Sequence, residues 1–512
     1  MRPRQWLYLS AFTVYLVSTF VLVRLEHGGP PHTEVELPNG APATLYLPNA
    51  GNPFFSINPI AAAERAPVAV LAHGYSEDRA TMSSLARRLA LNGYAVVAID
   101  ARGHGENQRP FDTDGVSDDI RSAVEFARAS AFVDGSKVVV IGHSMGAGAA
   151  MRYAMSDPRL AGSVMIAGLW PLDGPAPPRN PLFLFGQFDP PPLRVALKAL
   201  TAQLAKTGNP EMGETYGDFQ NGTAVRAIEV PGQDHMSLPA SSGAAEAIVH
   251  WLDATTLREP GKTVVVRDPR RIVTLVSLLA SLVLLAGIGE LAGHLAPACE
   301  QRPPGPGWSY VLALVGWLLV AMPVVADSAP AAFLGLDDGN ILVSWLAIGG
   351  LLICGFLMMR GQLPVPAHIG RSLLAAVAAF VAIYVMYVPL GAVVHRLSLT
   401  PHRAIAMIVG AVLLTPFFLG FEALLRRGDT RRSTSYALAG RFAVVILLFL
   451  GGAASMLSVA FVFFAWIVLV IFLVLEVFAS AVYATSGNVL TIAIAEALSL
   501  AWLLAATMPI RF

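Results

Sequence analysis

The stretch VVVIGHSMGAG, from Val138 to Gly148, decides how the first half of this chain folds. Its β-branched residues predict a buried strand, and the small residues that follow predict the start of a helix. The pattern G-x-S-x-G at the junction exposes Ser144 on a tight turn, which Gly142 and Gly146 permit. A serine hydroxyl is a weak nucleophile and needs such exposure to a base. We interpret Ser144 as a nucleophile; the alternative is a purely structural Gly/Ser turn.

A nucleophilic serine requires a base, and the base requires an orienting carboxylate. Asp189 follows a predicted strand at Leu182–Phe185, and His235 follows another at Arg226–Val230. The carboxyl ends of parallel strands share one edge of a sheet, so the loops that carry these residues should meet Ser144 there. We predict a Ser144, Asp189 and His235 triad.

Other residues compete for these functions. His143 lies inside the turn, and we expect its side chain to point away from the position that a base must occupy. His73 and His104 are interpreted as polar loop histidines, and Asp234 as a solvated loop carboxylate, because side chains adjacent in sequence, such as Asp234 and His235, rarely align for a base-orienting hydrogen bond.

Two main-chain amides are predicted to bind the negative oxygen that forms when a serine attacks a carbonyl. The first belongs to Met145, directly after the nucleophile, and the second to Tyr75, just after the predicted strand Pro67–Ala72. The loop Asp100–Gly105 follows the next strand and is interpreted as a structural rim.

Short β-branched runs alternate with helical patterns from residue 67 to residue 252, which predicts a mostly parallel sheet flanked by helices. The last predicted strand is expected to close the sheet. In chain order, the predicted elements are strand Pro67–Ala72, helix Asp78–Leu91, strand Ala95–Asp100, helix Val116–Ser130, strand Lys137–Ile141, a helix from Gly146, strands Ser163–Gly168, Leu182–Phe185 and Arg226–Val230, and helix Ser241–Leu252.

Residues of about 33 to 255 resemble an α/β-hydrolase of the serine esterase, lipase or dienelactone-hydrolase-like kind. The resemblance is carried by the HG loop at His73, the D-x-R-G-H-G loop at Asp100, the GHSMG turn, G-x-x-D ending at Asp189, and the late His235. It implies cleavage of esters through a covalent acyl-enzyme that water, activated by His235, then hydrolyses. Only about a dozen residues separate the strand ending near Gly168 from the next, so a helical lid is not expected there.

The composition divides the chain into two different halves. Of 512 residues 55% are apolar and 70 are charged, with a formal net charge of zero. The first 271 residues carry 50 of these charges and the remainder only 20. A formal net charge of zero argues against nucleic-acid binding, because such binding requires clustered Lys and Arg. Two cysteines, Cys299 and Cys354, provide no disulfide framework.

The apolar runs predict an all-α polytopic membrane domain. Trp6–Val23 is long enough to cross a bilayer and is preceded by Arg2 and Arg4, so it is interpreted as a signal anchor rather than a cleaved signal peptide. Eight further spans are predicted, or seven if the run Phe442–Tyr483 is not broken at Gly451–Ser455. They are placed at about 272–289, 308–326, 341–359, 372–394, 404–425, 442–458, 460–482 and 488–509.

The predicted domains are therefore an anchor at 1–26, the α/β-hydrolase domain at 27–258, a linker at 259–271 and the membrane domain at 272–512. Ten Arg lie in short loops on the side of the N-terminus, and three lie in short loops on the opposite side. Because loops rich in Arg and Lys stay in the cytoplasm, this distribution predicts that the hydrolase domain lies outside it. Six basic residues that flank the hydrolase domain weaken this bias to ten against nine. We expect a bacterial inner membrane with a periplasmic hydrolase domain.

The membrane half provides no readable motif of its own. Glu290, Glu476 and Glu496 lie in or at the ends of spans, where an ionisable group marks either a functional pathway or a polar packing contact. No nucleotide-binding loop or metal-ligand spacing is present, so no cofactor or metal is expected. The predicted partner is an ester or acyl substrate. The alternatives are an acyltransferase with the same triad, or a transporter with a hydrolase-like accessory domain.

Overall fold

A computed structural model describes residues 3–48, 65–131, 133–258, 268–300, 303, 307–327, 334–364, 368–391, 395–458 and 460–511. The chain divides into two compact units. The α/β unit comprises residues 21–272 together with the short segments 391–396 and 509–512. The helical unit comprises residues 1–20, 273–390 and 397–508.

A nine-stranded sheet forms the centre of the α/β unit in the described residues. Its order is β1-β2-β4-β3-β5-β6-β7-β9-β8, with parallel pairing from β4 to β9 and antiparallel pairing at both edges. The strands are β1 (His32–Glu36), β2 (Pro42–Tyr46), β3 (Ala66–Ala72), β4 (Ala95–Ile99), β5 (Val133–His143), β6 (Gly162–Ile166), β7 (Pro181–Gly186), β8 (Thr215–Tyr216) and β9 (Val225–Val230).

Six helices accompany this sheet, of which the first also enters the helical unit. Five follow strands: four of them are predicted from the sequence, and one, after β7, is not. The alternation of strands and helices confirms the prediction of an α/β-hydrolase fold. The helices are α1 (Pro3–His27), α2 (Ser83–Leu91), α3 (Val116–Ala129), α4 (Met145–Ser156), α5 (Pro191–Ala205) and α6 (Ser242–Thr255).

Three further details of the predicted elements are wrong. Helix α2 begins at Ser83 rather than Asp78, because the Asp78 carboxylate accepts a hydrogen bond from the Ala80 amide (2.8 Å) and forms a turn instead. The hairpin of β1 and β2 was not predicted. Strand β9 does not close the sheet, since the short β8 pairs along its outer side.

Apolar side chains fill both faces of the sheet. On β3, Val68, Val70 and Ala72 face one buried cluster, while Ala69 and Leu71 face another. Such alternation with both faces buried is what parallel strands covered by helices require. The sheet is therefore covered on both faces, and its carboxyl edge carries the loops after the parallel strands.

Eight long apolar helices follow the α/β unit in the described residues. Together with α1 they make nine helices that are long and apolar enough to cross a membrane. One helix ends at Ala453 and the next begins at Ala460, close to the interruption at Gly451–Ser455 expected from the sequence. They are α7 (Arg270–Leu295), α8 (Gly307–Asp327), α9 (Asp337–Met359), α10 (Ile369–Tyr387), α11 (Pro401–Leu425), α12 (Thr430–Ala453), α13 (Ala460–Ser486) and α14 (Val489–Thr507).

Candidate active site

The turn between β5 and α4 holds Ser144 in an unusual backbone conformation. Its φ is 52° and its ψ is −112°, a region that residues with a Cβ rarely adopt. The surroundings fix this conformation: a Cβ on Gly142 would collide with the main chain of Gly146, and one on Gly146 would lie 2.5 Å from the carbonyl oxygens of Ala72 and His73. Only glycines allow the strand, turn and helix to approach this closely.

The structure brings together the three side chains that the sequence predicts as a triad. The Ser144 hydroxyl lies 2.9 Å from His235 Nε2, and His235 Nδ1 lies 2.8 Å from Asp189 Oδ1. Asp189 is buried, and its Oδ2 accepts the Gly186 amide at 2.6 Å. This geometry lets His235 receive the serine proton while the carboxylate fixes the imidazole tautomer.

The loops that carry Asp189 and His235 are tied to each other. The Phe188 amide donates to the Gln233 carbonyl at 2.9 Å, and the Gly232 amide donates to the Gln187 side chain at 2.9 Å. Asp234 is exposed and accepts hydrogen bonds from Ser237, in keeping with a solvated loop carboxylate.

A second histidine and carboxylate lie directly behind the triad. His143 Nδ1 is 3.0 Å from Glu77 Oε2, and its Nε2 is 2.9 Å from the main-chain carbonyl oxygen of His235. Both neighbours are acceptors, so both ring nitrogens donate, which only the imidazolium form allows. Glu77 also accepts the Gly74 amide at 2.7 Å. Sequence reasoning missed Glu77; its position four residues after His73, on the β3 loop, was the available signal.

The charges of this pair support each other. Burial favours neutral Glu77, but the charge and hydrogen bond of His143 outweigh it and lower the pKa of Glu77 to about 2. Burial likewise opposes protonation of His143, yet the Glu77 carboxylate raises the pKa of His143 above its ordinary value. His235 is therefore held, through its main chain, by a buried ion pair.

The remaining loop histidines are buried rather than solvated, which corrects the interpretation of His73 and His104 as polar loop residues. His73 Nε2 accepts the Ala101 amide at 3.0 Å, and its Nδ1 donates to the Gly74 carbonyl at 2.8 Å. His73 thus links the loops after β3 and β4. The buried Asp100 in the second loop pairs with Arg79, in keeping with a structural function for that loop.

The two predicted oxyanion donors lie on elements that border Ser144. Met145 is the first residue of α4, and the amides of a first helical turn have no partner within their own helix. Tyr75 follows β3 by three residues, in the loop that the Gly74 and Glu77 hydrogen bond closes. Among the described residues no group of His, Cys, Asp and Glu could hold a metal ion.

Comparison with known proteins agrees with this architecture. Residues 63–207 match the family model described as serine aminopeptidase, S33. A non-heme chloroperoxidase of Streptomyces lividans is 32% identical over 164 residues, which cover 30% of this chain and 54% of that protein. The quorum-quenching protein AidA of Acinetobacter baumannii (strain MDR-ZJ06) is 31% identical over 100 residues, covering 19% and 33%. The chain thus spans about half or less of these relatives.

A solved α/β serine hydrolase without a lid, from Xanthomonas campestris, aligns at 18% identity with a TM-score of 0.31, covering 45% of this chain and 94% of its own. The match to the family model falls on β3 to α5, the part of the sheet that carries the Ser144 turn and Asp189. The α/β unit of this chain is therefore a hydrolase domain of the α/β serine hydrolase superfamily.

Proposed function

We propose that this protein is a membrane-anchored serine hydrolase that cleaves carboxylic esters, lipid-like or small, through Ser144, His235 and Asp189. The observation that carries the proposal is the continuous hydrogen-bond chain from the strained Ser144 through His235 to the buried Asp189. A turn strained at the nucleophile, with both partners already in reach, is characteristic of catalytic rather than packing residues.

In the proposed reaction, Ser144 Oγ attacks the ester carbonyl carbon while its proton passes to His235 Nε2. The tetrahedral intermediate collapses, His235 gives that proton to the departing alkoxide, and an acyl-serine remains. Water, deprotonated by His235, then attacks the acyl carbon and releases the carboxylic acid, and the proton returns to Ser144. Asp189 stays ionised and stabilises the imidazolium in both steps.

The negative oxygen of each intermediate would be bound by the main-chain amides of Met145 and Tyr75. The amide of Met145 also lies at the positive end of the α4 dipole. One such donor typically contributes about 3 kcal/mol to the transition state.

Apolar side chains beside the triad favour hydrophobic acyl groups. Phe188 precedes Asp189 and is 67% exposed, and Met236 follows His235 and is 37% exposed. The hydrogen bonds between their two loops hold both side chains at the same end of the sheet. Exposed aromatic and Met side chains at such a site are suited to binding a flexible acyl chain.

The apolar helices support attachment to a membrane, with α1 as the anchor. The segments 391–396 and 509–512 belong to the α/β unit. Four helices, α7 to α10, precede the first segment, and four more, α11 to α14, precede the second. An even number of crossings returns a chain to the same side, so eight spans after α1 fit this division. With the Arg distribution, we propose the periplasmic side of a bacterial inner membrane.

The test is hydrolysis of a p-nitrophenyl ester series, from acetyl to palmitoyl, by the detergent-purified protein. Ser144→Ala should abolish both ester cleavage and labelling by a fluorophosphonate probe, because no other group replaces the attacking oxygen. Ser237→Ala, a serine on the same loop as His235 but outside the triad, is the matched control and should keep both. Labelling retained in Ser144→Ala would refute the proposal.

Two alternatives have distinct results in the same assay. Labelled Ser144 without ester cleavage, together with a product that forms only when an acceptor alcohol or amine is added, would identify an acyltransferase. Solute transport that survives Ser144→Ala would identify a transporter with an accessory hydrolase-like domain.

The dependence of the rate on acyl-chain length tests the apolar rim, the name we give to the exposed side chains of Phe188 and Met236 beside the triad. Phe188→Ser with Met236→Ser should lower kcat/KM for the palmitoyl ester by roughly 10-fold or more, since each buried apolar side chain contributes about 1 to 2 kcal/mol. The acetyl ester, which does not reach the rim, should be cleaved almost as before. Equal losses on both esters would show that the rim does not select the acyl chain.

A further inference from the structure

Four helices of the helical unit enclose a cluster of buried charges that the proposed ester chemistry does not use. We call it the α11–α14 charge cluster. All five side chains are at most 5% exposed. They are Glu422 on α11, Arg426 directly after it, Arg441 on α12, Glu476 on α13 and Glu496 on α14.

The cluster lies well inside the helices rather than at their ends. Arg441 is the twelfth residue of the 24-residue α12, so it lies about 16 Å from the start of that helix. The rings of Phe421 and Phe472 pack on its guanidinium, at 5.1 and 5.6 Å from the centroids. In such surroundings an uncompensated charge is costly.

The hydrogen bonds distribute unequally over the three carboxyl groups. Glu422 accepts a hydrogen bond from Arg426 Nε on one oxygen (2.6 Å) and from Arg441 Nη2 on the other (3.2 Å). Glu476 receives both guanidiniums on Oε2 (2.7 and 2.8 Å) and the Ser480 hydroxyl on Oε1 (2.6 Å). Both oxygens of these two carboxylates are therefore satisfied by donors.

Glu496 is different, although it is fully buried. Its Oε1 receives Arg441 Nη2 at 2.5 Å, whereas its Oε2 has no hydrogen-bond partner. Every guanidinium that faces the cluster is already shared with another carboxylate. One carboxyl oxygen of the cluster thus lies enclosed without a donor.

The charge count agrees with this asymmetry. Three carboxylates and two guanidiniums would leave one uncompensated negative charge. The other buried guanidiniums of these helices bind elsewhere: Arg427 donates to the Gln362 side chain at 3.0 Å, and Arg403 donates to the main-chain carbonyls of Ala505 (2.6 Å) and Met508 (3.0 Å). One proton on the cluster makes it neutral.

We propose that Glu496 is a proton-binding site of the helical unit: its carboxyl group holds one proton at neutral pH, on Oε2. Binding forms the Oε2–H bond with a proton taken from water, and release returns that proton to water, so the cluster changes between neutral and singly negative. Oε1 remains the acceptor for Arg441 in both states. This inference does not depend on the ester hydrolase activity.

The cluster is also connected to the start of α12. Ser480, which donates to Glu476, lies 2.8 Å from the Thr434 hydroxyl, and Thr434 is only partly buried in the second turn of α12. The two hydroxyl groups thus form a polar connection from the second turn of α12 to Glu476, which shares Arg441 with Glu496.

The experiment is infrared spectroscopy of the full-length protein in liposomes at pH 7. The parent should show the carbonyl stretching band of a protonated carboxylic acid, with the expected small shift in D2O. Glu496→Gln should lack this band, and Glu290→Gln, the same substitution on α7 outside the cluster, should retain it. Because Gln is a neutral isostere of protonated Glu, Glu496→Gln should also keep its unfolding temperature.

A parent without the band, or a band that is unchanged in Glu496→Gln, would overturn the proposal. The parent measurement alone is decisive if the variant fails to fold. A parent that lacks the band but is stabilised by NaCl and not by choline chloride would overturn it too, and would assign the same oxygen to a monovalent metal ion.

Discussion

The ion pair of Glu77 and His143 holds the main chain of His235, the proposed catalytic base. His143 is 1% exposed and the Glu77 side chain 5%, so little solvent screens their attraction. Because His143 donates to the main chain of His235 and not to its ring, it acts on the base by positioning it. A substitution of Glu77 therefore changes how His235 is positioned in the triad, although Glu77 contacts no reacting atom.

Glu77→Gln should destabilise the α/β unit in a pH-dependent way. The lowered pKa of Glu77 means that its contribution is present above about pH 4.5 and is lost as the pH falls towards 2. The raised pKa of His143 means that its contribution is complete below about 6.5 and is lost as the pH rises through the folded value. Near pH 5.5 the loss should be about 3 to 5 kcal/mol, as for other broken buried pairs.

The measurement is the temperature at which fluorophosphonate labelling of Ser144 is lost, for the parent and Glu77→Gln from pH 5 to pH 9. The two should differ most near pH 5.5 and approach each other at alkaline pH. A difference that is constant over this range would mean that His143 is not charged in the folded protein.

At this scale the sequence predicts the residues whose chemistry is tied to a motif. The Ser144 turn, Asp189 after one strand and His235 after another are each readable from local pattern. Glu77 is not, because its importance arises from a contact with His143, 66 residues away, that no local pattern encodes. The burial of His73 and His104 was missed for the same reason.

Among the elements, the N-terminal hairpin pairs with β4 and is held to the sheet in addition by one buried arginine. Arg79 pairs with Asp100 after β4 and with Glu34 of β1 at 2.7 Å, and its Nε donates to Thr44 of β2 at 3.0 Å. The side chains of Arg79 and Asp100 are 2% and 0% exposed. A single guanidinium thus joins three elements at the edge of the sheet.

Arg79→Met should weaken this edge strongly, because it leaves the Asp100 carboxylate buried without its counterion. We expect a loss of about 3 to 5 kcal/mol, which lowers the midpoint temperature of unfolding by on the order of 10 °C. Circular dichroism of the purified protein measures it. Arg121→Met, which removes an exposed pair with Asp118 on α3, is the control and should shift the midpoint little. Equal shifts would refute the argument.

The hairpin also shows where element prediction fails. The parallel strands β3 to β7 each contain a buried apolar run, and these runs are predicted within a few residues. Strand β5 begins at Val133, four residues before its predicted start, because residues 134–136 are polar or glycine. Strands β1 and β2 carry HTEVE and PATLY, short and mixed sequences that are extended because they pair with each other and with β4. Such strands owe their structure to tertiary pairing rather than to their own composition.

For the whole molecule, the side of the membrane can be tested with single cysteines in a background where Cys299 and Cys354 are replaced by Ser. Ser136 is exposed in the α/β unit, and Ser435 is exposed near the start of α12. In spheroplasts, a membrane-impermeant maleimide should label Ser136→Cys and not Ser435→Cys, since the two are separated by an odd number of proposed spans.

Permeabilised spheroplasts provide the control, in which both cysteines should react. Labelling of Ser435→Cys alone in intact spheroplasts would place the hydrolase in the cytoplasm. This outcome would mean that the six basic residues flanking the α/β unit, which bring the count on their side from three to nine against ten, decide the orientation. Labelling of both would contradict the proposed number of spans.

Residues 509–511 belong to the α/β unit, and their late synthesis affects when that unit can complete its folding. Ile510 exchanges hydrogen bonds with Phe111 and Gly103, accepting from one amide at 2.6 Å and donating to the other carbonyl at 2.9 Å. These partners emerge from the ribosome long before Ile510 does. At about 5 to 20 residues per second, the 252 residues from 259 to 510 take roughly 10 to 50 s to synthesise. The loop after β4 therefore forms its hydrogen bonds with Ile510 only at the end of synthesis. A ribosome that stalls within the helical unit leaves an α/β unit in which this loop lacks that partner.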